Sequence, residues 1–249
     1  MSGKKLAIQS YCFRGFKDNA EVAQKVKAIG LDAIEVCGVH VNFDDESTHA
    51  KAIATYKKAG VAIVSIGVQR FADRPEVEEK YFRFCQAAGI KLMGVDFDVA
   101  AAPQAYRTAE RLADKYDVNL AIHNHGGRHW LGSSQMLSAV FKQTSPRIGL
   151  MLDTAWMLDS HEDPVAVAER FADRLYGLHL KDFVFDRAGK PEDVVVGTGN
   201  LDLPKLYQTL AAKGFTGEEI LEYEGDVNNP VPALSKCVEA VQKERVRHG

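Results

Sequence analysis

No stretch of the chain approaches the roughly eighteen consecutive apolar residues of a membrane span, so the sequence predicts no membrane partner. Cysteine is scarce: Cys12, Cys37, Cys85 and Cys237 lie far apart with no C-x-x-C. That pattern fits neither a zinc ribbon nor a disulfide-dense secreted scaffold, and predicts free thiols in a reducing compartment. Charge of one sign is missing too. The 31 basic and 34 acidic residues leave a net of −3, so no whole-molecule field would draw the chain to nucleic acid or an anionic membrane. The opening "MSGKKLAIQS" enters a strand-like run without the apolar h-region of a secretory signal, which adds to the expectation of a cytoplasmic protein.

What is present is a core-forming composition, 46% hydrophobic over 249 residues, without a linker, low-complexity tract or charge block to divide it. Eight short apolar runs recur along it: "KLAIQSY", "LDAIEVCG", "VAIVSIG", "IKLMGVDF", "VNLAIHNH", "IGLMLDT", "LYGLHLKDF" and "EEILEYEG". They are nearly continuous rather than alternating, as parallel strands covered on both faces read. Amphipathic segments such as "AEVAQKVKAIG" and "PEVEEKYFRFCQAAG" lie between them, with apolar residues at helical spacing. Gly30, Gly60, Gly89 and Gly214 fall where a left-handed residue would close a helix, and Asp18-Asn19 and Ser134 where one would be capped. Eight βα units at intervals of about thirty residues, wider before the last, predict one (β/α)8 TIM barrel over residues 1–249. A doubly wound sheet is the competitor, but no G-x-G-x-x-G follows the first run.

A barrel concentrates chemistry at the carboxyl ends of its strands, so the polar residues closing each run are the candidates. Those ends carry Gln9, Ser10 and Tyr11; Glu35; Gln69; Asp96 and Asp98; His123, Asn124 and His125; Asp153; His179, Lys181 and Asp182; and Glu222 and Glu224. His123, Asp153, His179 and Glu222 close four consecutive strands and can converge near the axis. Two imidazoles and two carboxylates suit one divalent ion, with Mn2+ first and Mg2+, Co2+ or Zn2+ as alternatives. Each alone also reads as a structural cap or turn residue; four in succession are harder to explain that way. In "LAIHNHGGRHW", His125 shares a face with His123 if the strand continues, and reads as a substrate or outer contact of the ligand set, while His129 reads as a loop residue.

The segments "GLDAIEVCG", "LAIHNHGG", "IGLMLDTAW", "GLHLKD", "GTGNLDL" and "ILEYEG" resemble, in strand order over nearly the whole chain, the xylose-isomerase-like barrel superfamily. That group includes sugar isomerases, ketose 3-epimerases, inosose dehydratase and, more distantly, apurinic endonucleases. The resemblance implies one divalent ion held by Glu, Asp, His and Glu at strands five to eight, here His123, Asp153, His179 and Glu222. The chain departs from the pattern at His123, where a glutamate is usual. The 3-epimerases are thought to use two metal-bound glutamates as opposed bases; here Glu222 remains as the carboxylate base, and the other face falls to His125, Lys181, Glu35 or no base at all.

The expected chemistry is an isomerase or epimerase of a carbohydrate or polyol, abstracting a proton next to a carbonyl through a metal-stabilised enediolate. The alternative is a lyase of a keto-sugar, by dehydration as in inosose dehydratase or by elimination from a 3-keto-glycoside. Expected catalytic groups are Glu222, His125 and Lys181; expected substrate contacts are Glu35, Trp156, Tyr11 and Asn124. Plain packing for Trp156 and ion pairs for Lys181 and Glu35 are the structural alternatives. "GTGNLDL" reads as a turn and helix start, not a phosphate cradle, since no P-loop Lys follows. A metal nuclease would need a larger ligand set and a basic face, and strands one and three end without histidine. A non-catalytic sugar sensor would predict an incomplete ligand set. Homo-oligomers are common in the superfamily, by analogy only.

Overall fold

The computed structural model describes residues 4–248. All eight expected strands form. They are β1 (Leu6–Gln9), β2 (Ala33–Val36), β3 (Ala62–Phe71), β4 (Leu92–Phe97), β5 (Asn119–His123), β6 (Ile148–Asp153), β7 (Leu175–Leu180) and, after an excursion, β10 (Glu218–Leu221). Parallel pairing runs from each to the next and from β10 back to β1, closing a (β/α)8 TIM barrel. Apart from β3, whose ends are partly exposed, the strands are buried along nearly their full length, which is why they read as continuous apolar runs.

The helices follow local chemistry. In α1 (Asn19–Ala28) the Asp18 carboxylate accepts the Glu21 N–H at 2.9 Å, and Gly30 follows at φ +80°. Next come α2 (His49–Lys58), α3 (Pro75–Ala88) and α4 (Gln104–Tyr116). Gly60, Gly89 and Gly214 are also left-handed as expected, but α4 is closed by Asp117 at φ +52°. Its carboxylate is tied to Lys91 and Arg147, so charge pairing accompanies a conformation usually left to glycine. The cap of α5 (Ser134–Phe141) is Ser133, whose Oγ accepts the Met136 N–H, one position before the expected Ser134, which is the first helical residue. Two short helices, α6 (Thr154–Asp159) and α7 (Pro164–Arg170), follow β6, and α8 (Leu203–Ala212) and α9 (Val231–His248) complete the ring.

The apolar run "LYGLHLKDF" is not one strand. It breaks at Lys181 into β7 and β8 (Asp182–Phe185), which pairs antiparallel with β9 (Pro191–Val194) above the barrel. The cause is Asp182, whose buried carboxylate accepts the N–H groups of Gly197, Gly199 and Leu201. Three amides of "GTGNLDL" are thus filled by the chain's own carboxylate, and Asp202 caps α8. This hairpin also accounts for the longer final interval.

Apolar burial falls into two bodies. A large cluster lies between strands and helices, and a small one, with Ala7, Ala33, Ala121, Met151 and Ile220, lies among the strands themselves. No described helix is long and apolar enough to cross a membrane.

Candidate metal centre

Four adjacent strands deliver the four expected ligands to one point. His123 ends β5; Asp153 ends β6 and caps α6; His179 lies in β7 beside Asp153; Glu222 follows β10, its N–H bonded to Leu180. One ligand atom from each can be chosen so that all lie within 4.8 Å of one another, and all four residues are buried. His123 Nε2 is 3.4 Å from Asp153 Oδ2 and 3.9 Å from Glu222 Oε2; His179 Nδ1 is 3.0 Å from Glu222 Oε2.

The residues behind the cluster aim it. Asp153 Oδ1 accepts the Trp156 N–H at 2.8 Å, which leaves Oδ2 facing His123 with no hydrogen-bond partner. Asn124, fully buried, holds the Asp153 main chain with both ends of its amide. Glu35, expected to contact substrate, is itself fully buried: Oε1 meets His179 Nε2 at 2.9 Å and also takes Gln9 Nε2. Room for it exists because Gly67 has no side chain; a Cβ there would sit 2.9 Å from Glu35 Oε1.

The electrostatics are those of a proton-filled ligand set. Burial disfavours charge on His179, but Glu222 and Glu35 outweigh it and hold the imidazole well above its usual range. Burial likewise opposes ionisation of Glu222, yet His179 and Lys181 hold it well below the carboxylate range. His123 is raised in spite of burial by Asp153 and Glu222. The set fits a divalent ion: mixed N/O donors converge, and His123 Nδ1 and Asp153 Oδ2 are buried without partners.

Above the cluster opens a cavity of about 300 Å³ lined by Gln9, Tyr11, Cys37, Gly67, Val68, His123, His125, Trp156, Glu222 and Glu224. His125 stands at its mouth against Trp156, ring centroids 5.2 Å apart, and partial burial and His123 push its imidazole down to about 4. His129 is more than a loop residue: its Nε2 lies 3.6 Å from Asp96 and its Nδ1 accepts the Leu131 N–H, tying the β5 loop to the end of β4. Tyr11 is partly exposed at the rim, under the Arg14 guanidinium.

Lys181 does not reach the cavity as a free ammonium. It is fully buried, 5.1 Å from the Trp156 ring centroid, bonded to Glu224 and 3.6 Å from Asp193 on β9. Burial alone would lower it, but Glu222, Asp153, Asp193 and Glu224 drive its pKa up. Gln9 and Glu224 stand at strand ends in the sequence, whereas no strand end or motif marks Asp193. The available signal was the alternation Glu222-Tyr223-Glu224, which puts two carboxylates on one side.

A barrel whose final four strands each bring one residue to a cluster that could hold a metal ion defines a class, and residues 23–243 match the family model described as xylose isomerase-like TIM barrel. The chain belongs to that family. It is 32% identical over 138 residues to the rhizopine catabolism protein MocC of Rhizobium meliloti, covering 50% of this chain and 42% of that protein. It is 26% identical over 149 residues to an inosose dehydratase of Geobacillus thermodenitrificans, covering 54% of this chain and 48% of that enzyme. The matched segments thus span about half the length of these curated relatives. Among solved structures, a xylose isomerase-like TIM barrel protein from Mycobacterium smegmatis in complex with magnesium superposes over 100% of this chain and 99% of its own, with TM-score 0.82 and 14% identity.

Proposed function

We propose that the protein is a divalent-metal-dependent enzyme that removes a proton next to the carbonyl of a sugar or keto-polyol. The observation that carries this reading is the convergence of His123, Asp153, His179 and Glu222 beneath a cavity into which Glu222 opens. A divalent ion held by these four would act as a Lewis acid toward a substrate carbonyl and its neighbouring hydroxyl. Glu222 is the base, kept ionised by His179 and Lys181. Asp153 and Asn124 fix the ligand geometry, Glu35 fixes the His179 ring, and Trp156 with Tyr11 forms the wall for a sugar face. His125, unprotonated near neutrality, accepts a hydroxyl proton at the mouth.

With histidine at position 123, Glu222 has no opposed carboxylate on the ligand set. A single base suits reactions in which the proton returns to the face it left, or does not return: isomerisation and elimination. Isomerisation is the first reading. Elimination, giving a dehydratase or a lyase of 3-keto-glycosides, is the second, favoured by the likeness to inosose dehydratase.

The test is incubation with ketoses, keto-inositols and 3-keto-glycosides in D2O with Mn2+, followed by NMR, with Glu222→Gln as control. Deuterium entry without loss of a group supports isomerisation, and release of water or an aglycone supports elimination. No exchange with any member, or exchange unchanged in the variant, overturns the reading.

A further inference from the structure

Glu224 is held more tightly than a strand-end carboxylate needs to be. Its side chain bonds Lys181, whose ammonium also lies 3.6 Å from Asp193, and its carbonyl takes the Arg14 guanidinium. Lys181 is fully buried, and taking an ammonium out of water is costly unless its partners are fixed. The partners come from separate places: Asp193 from the hairpin above β7, Glu224 from beyond β10. What this arrangement fixes is a carboxylate, 29% exposed, in the same cavity wall as Glu222.

The wall has a second property. None of the described residues lining the cavity is Lys or Arg. Lys181 is sealed behind Glu224, and Arg14 at the rim is committed to the carbonyls of Tyr11 and Glu224. An anionic group carried away from the chelating oxygens would face Glu224 with no Lys or Arg among the described lining residues to receive it, whereas a hydroxyl would find an oriented acceptor.

We propose that Glu224, fixed by Lys181 and Asp193, is a specificity-determining contact that accepts a hydroxyl of an uncharged polyhydroxylated substrate and turns away phosphorylated analogues. This rests on the metal-dependent reading above and adds the charge class of its substrate.

The test is calorimetric titration of the Mn2+-loaded protein with D-fructose, D-tagatose and a keto-inositol, and with the 6-phosphates of the two ketoses. The wild type should bind its best neutral ligand at least about tenfold more tightly than either phosphate. Glu224→Gln, with Mn2+ stoichiometry confirming the fold, should weaken the neutral ligand about tenfold and narrow the preference. Asp193→Asn, which loosens only one anchor, should show a smaller change in the same direction. Phosphates bound as well as neutral ligands, no neutral ligand bound at all, or a preference untouched in Glu224→Gln would overturn the proposal. Phosphates bound and turned over would overturn it while leaving the metal-dependent chemistry standing. The stated preference without turnover of any ligand would do the reverse.

Discussion

The Asn124 side chain grips the main chain of Asp153 at two points, accepting its N–H at 2.8 Å and donating to its carbonyl at 3.0 Å. This clasp locks the end of β5 to the end of β6 and so sets where Asp153 Oδ2 meets His123. Asn124→Ala strands a buried N–H and C=O, and is expected to cost about 2–3 kcal/mol in urea unfolding and to weaken Mn2+ binding. Unchanged stability and metal affinity would show that the clasp does not set the site.

Metal content should depend on each of the four ligands and, less steeply, on Glu35. Glu35→Gln keeps the shape but weakens the partner of His179 Nε2, and should lower Mn2+ affinity by roughly 10–100-fold, the usual range for an outer partner of a ligating imidazole. His123→Ala and Glu222→Gln should lose more. Elemental analysis after dialysis checks this; full metal retention in both ligand variants would refute the assigned set.

His125 stands at the cavity mouth and outside the ligand cluster. His125→Ala should therefore leave Mn2+ stoichiometry intact while turnover of the identified substrate falls by about 10²–10⁴-fold, as for loss of a general acid–base group. Equal loss of metal would move His125 into the ligand set.

Burial pushes Asp193 up to about 7, with Lys181 opposing and Glu224 reinforcing. The folded state therefore holds a proton that the unfolded chain releases near pH 4. Stability contributed by this group is present at low pH and is lost as the pH rises toward 7. Comparing urea midpoints of wild type and Asp193→Asn from pH 4.5 to 7.5 should show the wild type falling relative to the variant. Parallel profiles would contradict it.

The Asp182 carboxylate carries three main-chain N–H groups of the 197–201 loop. Asp182→Ala should destabilise the protein by about 3 kcal/mol or more. Hydrogen exchange should rise first at Gly197, Gly199 and Leu201. Protection unchanged at those amides would mean that another group holds the loop.

The barrel was legible because strands buried on both faces leave little room for polar residues, so the eight runs stand out against the helices. The β8–β9 hairpin was not, because "DFVF" continues the apolar run of β7. Only the position of Asp182 relative to amides fifteen to nineteen residues ahead reveals the break. The closure by Asp117 escaped a reading keyed to glycine, since its ion pairs come from residues distant in sequence. At the site, the convergence of strand ends was readable from order alone. The orientation of Lys181 was not: its partner Glu224 is 43 positions away, and nothing in "HLKD" says whether the ammonium turns toward the cavity or away from it.

The chain of contacts from Gln9 through Glu35 and His179 to Glu222 runs through ground that branched apolar side chains fill in other barrels. Gly67 and Gly94 leave the space, and the small inner apolar cluster is what remains beneath it. The axis of this molecule is therefore a conduit of polar groups, and its cohesion lies in the outer sleeve where strands meet helices. Changes of chemistry along the axis and changes of stability in the sleeve can accordingly accumulate with little interference, so a substitution at position 123 can retune the cluster while the barrel keeps its shape.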